Sequence, residues 1–257
     1  MSWQNKTCFI DLDGTMYRGD ELIDGAIEFI DYLQEHKIPY YFITNNAMRT
    51  HAQNAKKMLD MGFHHIKDED FFTSAMASAA YVKRHKQAKK AYYIGQDGMK
   101  EALIEQGFII DENEADHVFI GLDITATYEQ YCRAFTLLQK GAKLVGTNAD
   151  RRLPHGDGYR IGNGAIVAMF QYASEQEGLI IGKPNAAMME EALLYAGIQA
   201  DQCVMIGDNL ETDILFGIQN HVETIFVTSG VHDEEDASRM GILSDIIVHN
   251  LKELMHK

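Results

Sequence analysis

Short apolar runs alternate with amphipathic stretches along the whole chain. Thr7-Cys8-Phe9-Ile10 is the first run and Tyr40-Tyr41-Phe42-Ile43, opened by Pro39, the second. Ala91-Tyr92-Tyr93-Ile94, Val118-Phe119-Ile120 and Lys143-Leu144-Val145 make a middle series. Leu179-Ile180-Ile181, Cys203-Val204-Met205-Ile206, Thr224-Ile225-Phe226-Val227 and Asp245-Ile246-Ile247-Val248 follow. Continuous apolar runs of this length, rich in β-branched and aromatic residues, predict buried strands. The stretches between them read as helices. Asp24 is the expected N-cap of one that turns Ile27, Ile30 and Leu33 to a single face. Thr50 with Gln53, and Thr127 with Gln130, have capping-box spacing, and Gly62 and Gly141 stop those helices. Thr73-Ser74 opens a helix expected to hold Met76, Ala80 and Tyr81 against the core. A further helix ends at Gly107, one runs from Asn163 to about Glu177, and one runs from Asn185 to Gly197. A helix through Asp213, Ile214 and Phe216 and a short final helix complete the series. Strands alternating with helices predict an α/β fold, a parallel sheet covered on both faces.

The basic run from Lys83 to Lys90 reads as a solvated helix end and linker. A second βα series follows it, and the chain from Leu179 onward returns to the style of its beginning. Within the second series, Thr147 to Gly158 is the longest polar stretch and is expected to be a loop.

Composition narrows the class. The chain has 257 residues, 46% hydrophobic and 24% charged, as in ordinary soluble globular proteins. No apolar run approaches the roughly 18 residues of a membrane span, and the polar Met1–Lys6 segment does not resemble a signal peptide. Three scattered cysteines, two of them in apolar strand patterns, argue against a disulfide framework and for a cytoplasmic location. The formal net charge of -15 argues against a nucleic-acid partner. An anionic substrate must then be captured by local cations, helix N-termini or a metal.

The polar residues at the strand ends carry the chemistry. The first run ends in Asp11-Leu12-Asp13-Gly14-Thr15, and strand alternation would send both acids to one side. The second ends in Thr44-Asn45-Asn46, a later one in Gly182-Lys183-Pro184 and the next in Gly207-Asp208-Asn209, with Asp213 a turn beyond. Taken singly, the first acids and Asp208 also read as turn residues, Thr44 as a turn cap and Lys183 as a surface lysine. Parallel strands put their carboxyl ends on one edge, so these groups are expected to meet there. Together they suit phosphoryl transfer, which needs an in-line nucleophile, charge neutralisation and positioning. Asp11 is the candidate carboxylate nucleophile and Asp13 the candidate general acid and base. Thr44 offers a hydroxyl, Asn45 a backbone N–H and Lys183 a positive charge for phosphoryl oxygens. Asp208 completes a hard-oxygen site for Mg²⁺, with Asp213 holding metal-bound waters or Lys183.

These four ordered motifs resemble those of the haloacid dehalogenase (HAD) superfamily. Thr44-Asn45-Asn46 and Gly207-Asp208-Asn209-Leu210-Glu211-Thr212-Asp213 are similar to its NagD-like, 4-nitrophenylphosphatase-type branch. The resemblance implies a Rossmann-like parallel-sheet core at residues 1–82 and 178–257, with an α/β cap inserted at 83–177. It implies Mg²⁺ held by Asp11, the Asp13 carbonyl and Asp208, with Asp213 and Asn209 behind them. An aspartyl-phosphate on Asp11 and a homodimer through the cap are also implied. The expected function is hydrolysis of small phosphomonoesters such as nucleotide, sugar or aryl phosphates.

The cap loop from Asn148 to Tyr159 is the candidate for substrate choice, with Leu122 and Asp123 beside it. Asn148 is a candidate phosphate- or substrate-binding residue, and Arg151, Arg152 and His155 are candidates for reading a second anionic group. Two other functions fit parts of the pattern. A phosphotransferase or mutase would use the same motifs with a sugar hydroxyl as acceptor. A non-enzymatic phospho-acceptor would share the acids, the threonine and the lysine, but has no use for Asp13 as acid and base or for a cap.

Overall fold

The computed structural model describes residues 3–155 and 158–256. It divides into two compact units. The first comprises residues 1–44, 52–72 and 192–257, and the second residues 45–51 and 73–191. In chain order, the elements begin with β1 (Thr7–Ile10), β2 (Tyr17–Arg18), β3 (Glu21–Leu22), α1 (Ala26–Glu35), β4 (Tyr40–Thr44), α2 (His51–Asp60) and β5 (Phe71–Thr73). The next are α3 (Ser74–Lys86), β6 (Lys90–Ile94), α4 (Asp97–Glu105), β7 (Ile109–Ile110), β8 (His117–Ile120), α5 (Tyr128–Gln139) and β9 (Lys143–Gly146). Then come β10 (Arg152–His155), β11 (Gly158–Ile161), α6 (Asn163–Ser174), β12 (Leu179–Ile180) and α7 (Ala186–Ala196). The next are β13 (Cys203–Gly207), α8 (Leu215–Gln219), β14 (Glu223–Val227), α9 (Glu234–Met240) and β15 (Ile246–Val248), and the expected short final helix is a 3-10 helix, Leu251–His256.

The first unit is built on a six-stranded sheet in the order β15-β14-β13-β1-β4-β5. β1 pairs in parallel with β13 on one side and β4 on the other, and β14 and β15 continue the parallel run. All four β1 residues are buried, which is why its sequence is an unbroken apolar run rather than an alternating one. Phe29, Ile30 and Leu33 of α1 pack with Ile10, Phe42, Ile206 and Val227 of the sheet. Cys8 and Cys203 are buried free thiols, and burial pushes the Cys203 thiol up to about 12.

The second unit holds a five-stranded sheet in the order β12-β9-β8-β6-β7, with every pairing parallel. Its core joins Ile94, Val118, Ile120 and Leu144 to Leu137 and Leu138 of α5 and Val167 and Phe170 of α6. The chain is therefore α/β throughout, as the alternation predicts. No helix among the described residues is long and apolar enough to cross a membrane.

Several local expectations change. β12 pairs with β9, so the Leu179 run belongs to the second sheet and not to the first. Arg152–His155 and Gly158–Ile161 form an antiparallel hairpin inside the stretch expected to be a loop. All four β11 residues are exposed, so no apolar alternation marked that strand. α1 starts after Gly25, whose φ of 86° is accessible to glycine at little cost, and the expected cap Asp24 instead accepts from Lys252 Nζ at 2.6 Å. In α3, Met76 is buried as expected, whereas Ala80 and Tyr81 are half-buried. The Thr73 hydroxyl caps that helix, accepting from the Met76 N–H at 3.3 Å. Thr127 likewise accepts from the Gln130 N–H at 3.3 Å at the start of α5.

Phe29 is fully buried and its ring centroid lies 6.0 Å from that of Trp3. Phe29→Ala is expected to lower the unfolding free energy by about 3–5 kcal/mol, read from urea unfolding monitored by circular dichroism. A loss under about 1 kcal/mol would contradict this packing.

Candidate active site

The register of β1 and β13 places their ends together. Ile10 lies opposite Ile206, and the Asp11 N–H continues the ladder to the Ile206 carbonyl at 2.9 Å. Asp11 is thus the first residue past β1, and Asp208 the first past β13. Asp213 returns to the same place from the turn that follows. Carboxylate oxygens of Asp11, Asp208 and Asp213, all buried, lie within 4.8 Å of one another.

The backbone approaches Asp208 closely at two glycines. Gly14 has a φ of +107°, and a Cβ there would overlap the Asp208 carboxylate. A Cβ on Gly230 would overlap the same group. Asp208 Oδ1 accepts from the Thr15 hydroxyl at 3.0 Å, and Oδ2 from the Val231 N–H at 2.6 Å. The Arg18 guanidinium donates to the carbonyls of Ser229 and Gly230, each at 3.3 Å, which ties down the loop that grips Asp208.

Asp213 is held by a different device. Residues Leu210–Ile214 form one wide π-helical turn ahead of α8, not a continuous α-helix. The Asn209 carbonyl accepts from the Asp213 N–H at 2.8 Å, and the Asn209 N–H donates to the Asp213 carboxylate at 3.1 Å. Asn209 Oδ1 accepts from the Glu211 N–H at 3.0 Å and caps the turn. Asn209 therefore positions Asp213 with its backbone, and its side chain caps the turn that carries Asp213.

Three buried acids so close together repel one another. Burial, and then the Asp213 charge, push the Asp208 carboxyl up to about 7, against the lowering effect of its bonds to Val231 and Thr15. A proton or a cation has to relieve that repulsion. The donors are all carboxylate oxygens, the set that suits a small hard divalent cation such as Mg²⁺. Asp11, Asp208 and Asp213 are thus a fitting group for such an ion.

The other expected site residues separate by unit. In the first, Thr44 is the buried last residue of β4. Asp13 is exposed and lies past the end of β1, in the turn where the Leu12 carbonyl accepts from the N–H groups of Thr15 and Met16. Strand alternation therefore does not govern its direction, contrary to expectation.

In the second unit, Asn45 and Lys183 form a buried pair. Asn45 Oδ1 accepts from the Lys183 N–H at 2.8 Å, and Asn45 Nδ2 donates to the Lys183 carbonyl at 3.1 Å. Lys183 is 2% exposed and follows β12, so it arrives from the second sheet and not from a strand end of the first. Asn148 is buried and its Nδ2 donates to the Asn45 carbonyl at 2.8 Å. Arg151 and Arg152 are exposed, and Arg152 stacks on Tyr159 with its guanidinium 4.2 Å from the ring centroid. Leu122 and Asp123 are half-buried, and Asp123 Oδ1 accepts from the Thr125 N–H at 2.8 Å. Gly156, Asp157 and the His155 side chain lie outside the described residues.

Sequence reasoning missed Thr15, Val231 and Asp150. Thr15 stood inside the first motif, directly after a glycine. Asp150 stands two residues after Asn148, a spacing that favours a side chain closing on its own backbone. Val231 contributes only a backbone N–H, which no side-chain pattern marks.

The sequence profile described as haloacid dehalogenase-like hydrolase matches residues 8–109, and one described as HAD-hydrolase-like matches residues 180–254. An acid sugar phosphatase of Staphylococcus haemolyticus is 39% identical over 232 residues, covering 90% of this chain and 88% of that protein. The chain belongs to the haloacid dehalogenase-like hydrolases. A second member, named 5'-nucleotidase YutF, from Bacillus subtilis, is 35% identical over 230 residues and covers 90% of both chains. Among solved HAD structures, a single-mutant thermostable NPPase from Geobacillus stearothermophilus superposes with a TM-score of 0.89 at 39% identity, covering 98% of both chains. A 4-nitrophenylphosphatase from Thermotoga maritima gives a TM-score of 0.92 at 29% identity, covering 99% of this chain and 97% of that one. This HAD chain therefore has the branch affinity that its motifs imply.

The raised Asp208 carboxyl has a consequence for stability. Folded, it keeps its proton up to about pH 7, whereas an unfolded aspartate releases it near pH 4. Between those values the folded state binds more protons, so this group makes stability fall as pH rises. Thermal midpoints of the chelated protein are expected to drop from pH 5 to pH 8, and millimolar Mg²⁺ is expected to reverse most of that drop. Equal slopes with and without Mg²⁺ would contradict a cation at the three acids.

Proposed function

We propose that this chain is a Mg²⁺-dependent phosphomonoesterase that works through a phosphoryl group carried on Asp11. The observation that carries the reading is the convergence of buried Asp11, Asp208 and Asp213 on one edge of a parallel sheet. Relatives named for acid sugar phosphatase, 5'-nucleotidase and 4-nitrophenylphosphatase activity support the substrate class. What their substrates share is a phosphoryl monoester, not a leaving group. The buried free thiols support a reducing, cytoplasmic setting.

Asp11 attacks phosphorus with a carboxylate oxygen, and the bond from phosphorus to the ester oxygen breaks. Asp13 gives its proton to the departing oxygen, which leaves as an alcohol. The same carboxylate then takes a proton from water, whose oxygen attacks phosphorus. The bond to Asp11 breaks, inorganic phosphate departs and the Asp11 carboxylate is restored. The Thr44 hydroxyl, the Asn45 N–H and Lys183 bind the phosphoryl oxygens and orient them. A divalent cation held by Asp11, Asp208 and the Asp13 carbonyl, with Asp213 behind them, would supply positive charge against the phosphoryl oxygens. Residues 83–177 act as the cap that excludes water and selects the leaving group.

Asp11→Asn is expected to abolish phosphate release from nucleotide, sugar and 4-nitrophenyl phosphates while thermal unfolding stays cooperative. Chelation is expected to do the same to the wild type, reversibly. Substantial turnover by the Asp11→Asn protein would remove Asp11 as nucleophile. Phosphate release that survives chelation would remove the metal.

A further inference from the structure

We infer that Asp150 is a positioning residue that sets the orientation of the Asn45–Lys183 pair; this rests on the phosphatase reading above. Asn45 meets Lys183 through both ends of its carboxamide, taking the N–H at 2.8 Å and giving to the carbonyl at 3.1 Å. The same Nδ2 faces both oxygens of Asp150, at 3.2 and 3.3 Å. An ionised carboxylate only accepts. Turning the carboxamide over would set Oδ1 against Asp150 and Nδ2 against the Lys183 N–H, reversing every one of these contacts. Asp150 thereby admits a single orientation of Asn45.

Asp150 is itself fixed by the loop after β9. Its N–H donates to Asn148 Oδ1 at 3.1 Å, and its carbonyl accepts from the Gly164 N–H at 2.9 Å. A Cβ on Gly162 or Gly164 would overlap the backbone of that loop, so the two glycines allow α6 to begin directly against it. The other end of Asn148 donates to the Asn45 carbonyl at 2.8 Å, which the Ser74 hydroxyl also reaches at 2.6 Å. Asn163 Nδ2 donates to the Ile120 carbonyl, Thr147 Oγ1 and the Asn148 carbonyl at 3.0, 3.1 and 3.3 Å. Gly182 approaches so closely that a Cβ would lie 2.5 Å from the Thr147 carbonyl oxygen and 2.6 Å from Asn45 Oδ1.

With its side chain and its carbonyl both tied, Asn45 has little freedom to turn its own N–H. Lys183 is bound through its peptide groups on both sides, and its side chain is buried. Asp150 thus acts on the phosphoryl-binding groups and not on the leaving group. Its removal weakens all phosphomonoesters by one common factor, whatever they release. A residue that read the leaving group would give a different factor for each.

The test compares wild type, Asp150→Ala and Asp150→Asn on 4-nitrophenyl phosphate, a hexose phosphate and a nucleoside monophosphate. Inhibition by inorganic phosphate and the NMR signal of the Asn45 side-chain amide are read on the same proteins. Asp150→Ala is expected to lower kcat/KM about tenfold on all three substrates and to weaken phosphate inhibition similarly. The Asn45 amide signal is expected to move and to exchange faster. Asp150→Asn retains one acceptor and is expected to recover part of each loss, and it carries the test if the alanine variant does not fold. Factors that differ between substrates would assign Asp150 to the leaving group and overturn the inference. An unchanged Asn45 amide in Asp150→Ala would overturn it too. Wild type that binds inorganic phosphate but hydrolyses nothing would sink the phosphatase reading alone, because phosphate binding and the Asn45 amide still report on Asp150.

Discussion

Carboxylates buried side by side cannot all keep their charge without compensation. Asp11, Asp208 and Asp213 stand in that relation, buried with carboxylate oxygens within 4.8 Å of one another. Gly14, Gly207 and Gly230 make room for these side chains, since a Cβ at any of them would overlap Asp208 or Asp213. Thr15, Val231 and Asn209 direct the acids by hydrogen bonds. The strain is electrostatic, and the local fold maintains it. A site that must draw in a cation without reorganising has use for such an arrangement.

The second unit holds a buried lysine by its peptide groups. Lys183 is nearly inaccessible, and its peptide groups are gripped by the Asn45 carboxamide. Asn148, Asp150 and Asn163 extend that grip into the loop after β9. Most donors and acceptors of these buried side chains are matched, with Asn163 Oδ1 left without a partner. Thr44 and Asn45 are adjacent in sequence, yet Thr44 ends the first segment of the first unit and Asn45 begins the first segment of the second.

Much of this was legible in the sequence, for stated reasons. Strands buried on both faces, such as β1 and β13, must be continuously apolar, so acids that follow them mark the carboxyl edge of a sheet. Asp11 and Asp208 follow such runs, and each stands directly past its strand. The strand expected before Lys183 was placed in the wrong sheet, because a two-residue strand cannot announce which sheet it joins, and β12 pairs in the second. The β10–β11 hairpin escaped because its described positions show no buried face to write an alternating pattern. Asp24 failed as a helix cap because the cap position falls one residue later, at Gly25. Asp150 was overlooked beside the more conspicuous Arg151 and Arg152, although its acceptor is the one built into the network.

The central claim is that Asp11 carries the phosphoryl group. Acid-quenching the enzyme during turnover, followed by borohydride reduction and peptide mass spectrometry, tests it directly. A phosphorylated aspartate is reduced to homoserine, whereas a free carboxylate is left alone. The account predicts homoserine at position 11, formed only when both Mg²⁺ and substrate are present. An unmodified Asp11 under conditions of steady phosphate release, or homoserine at another acid, would contradict it.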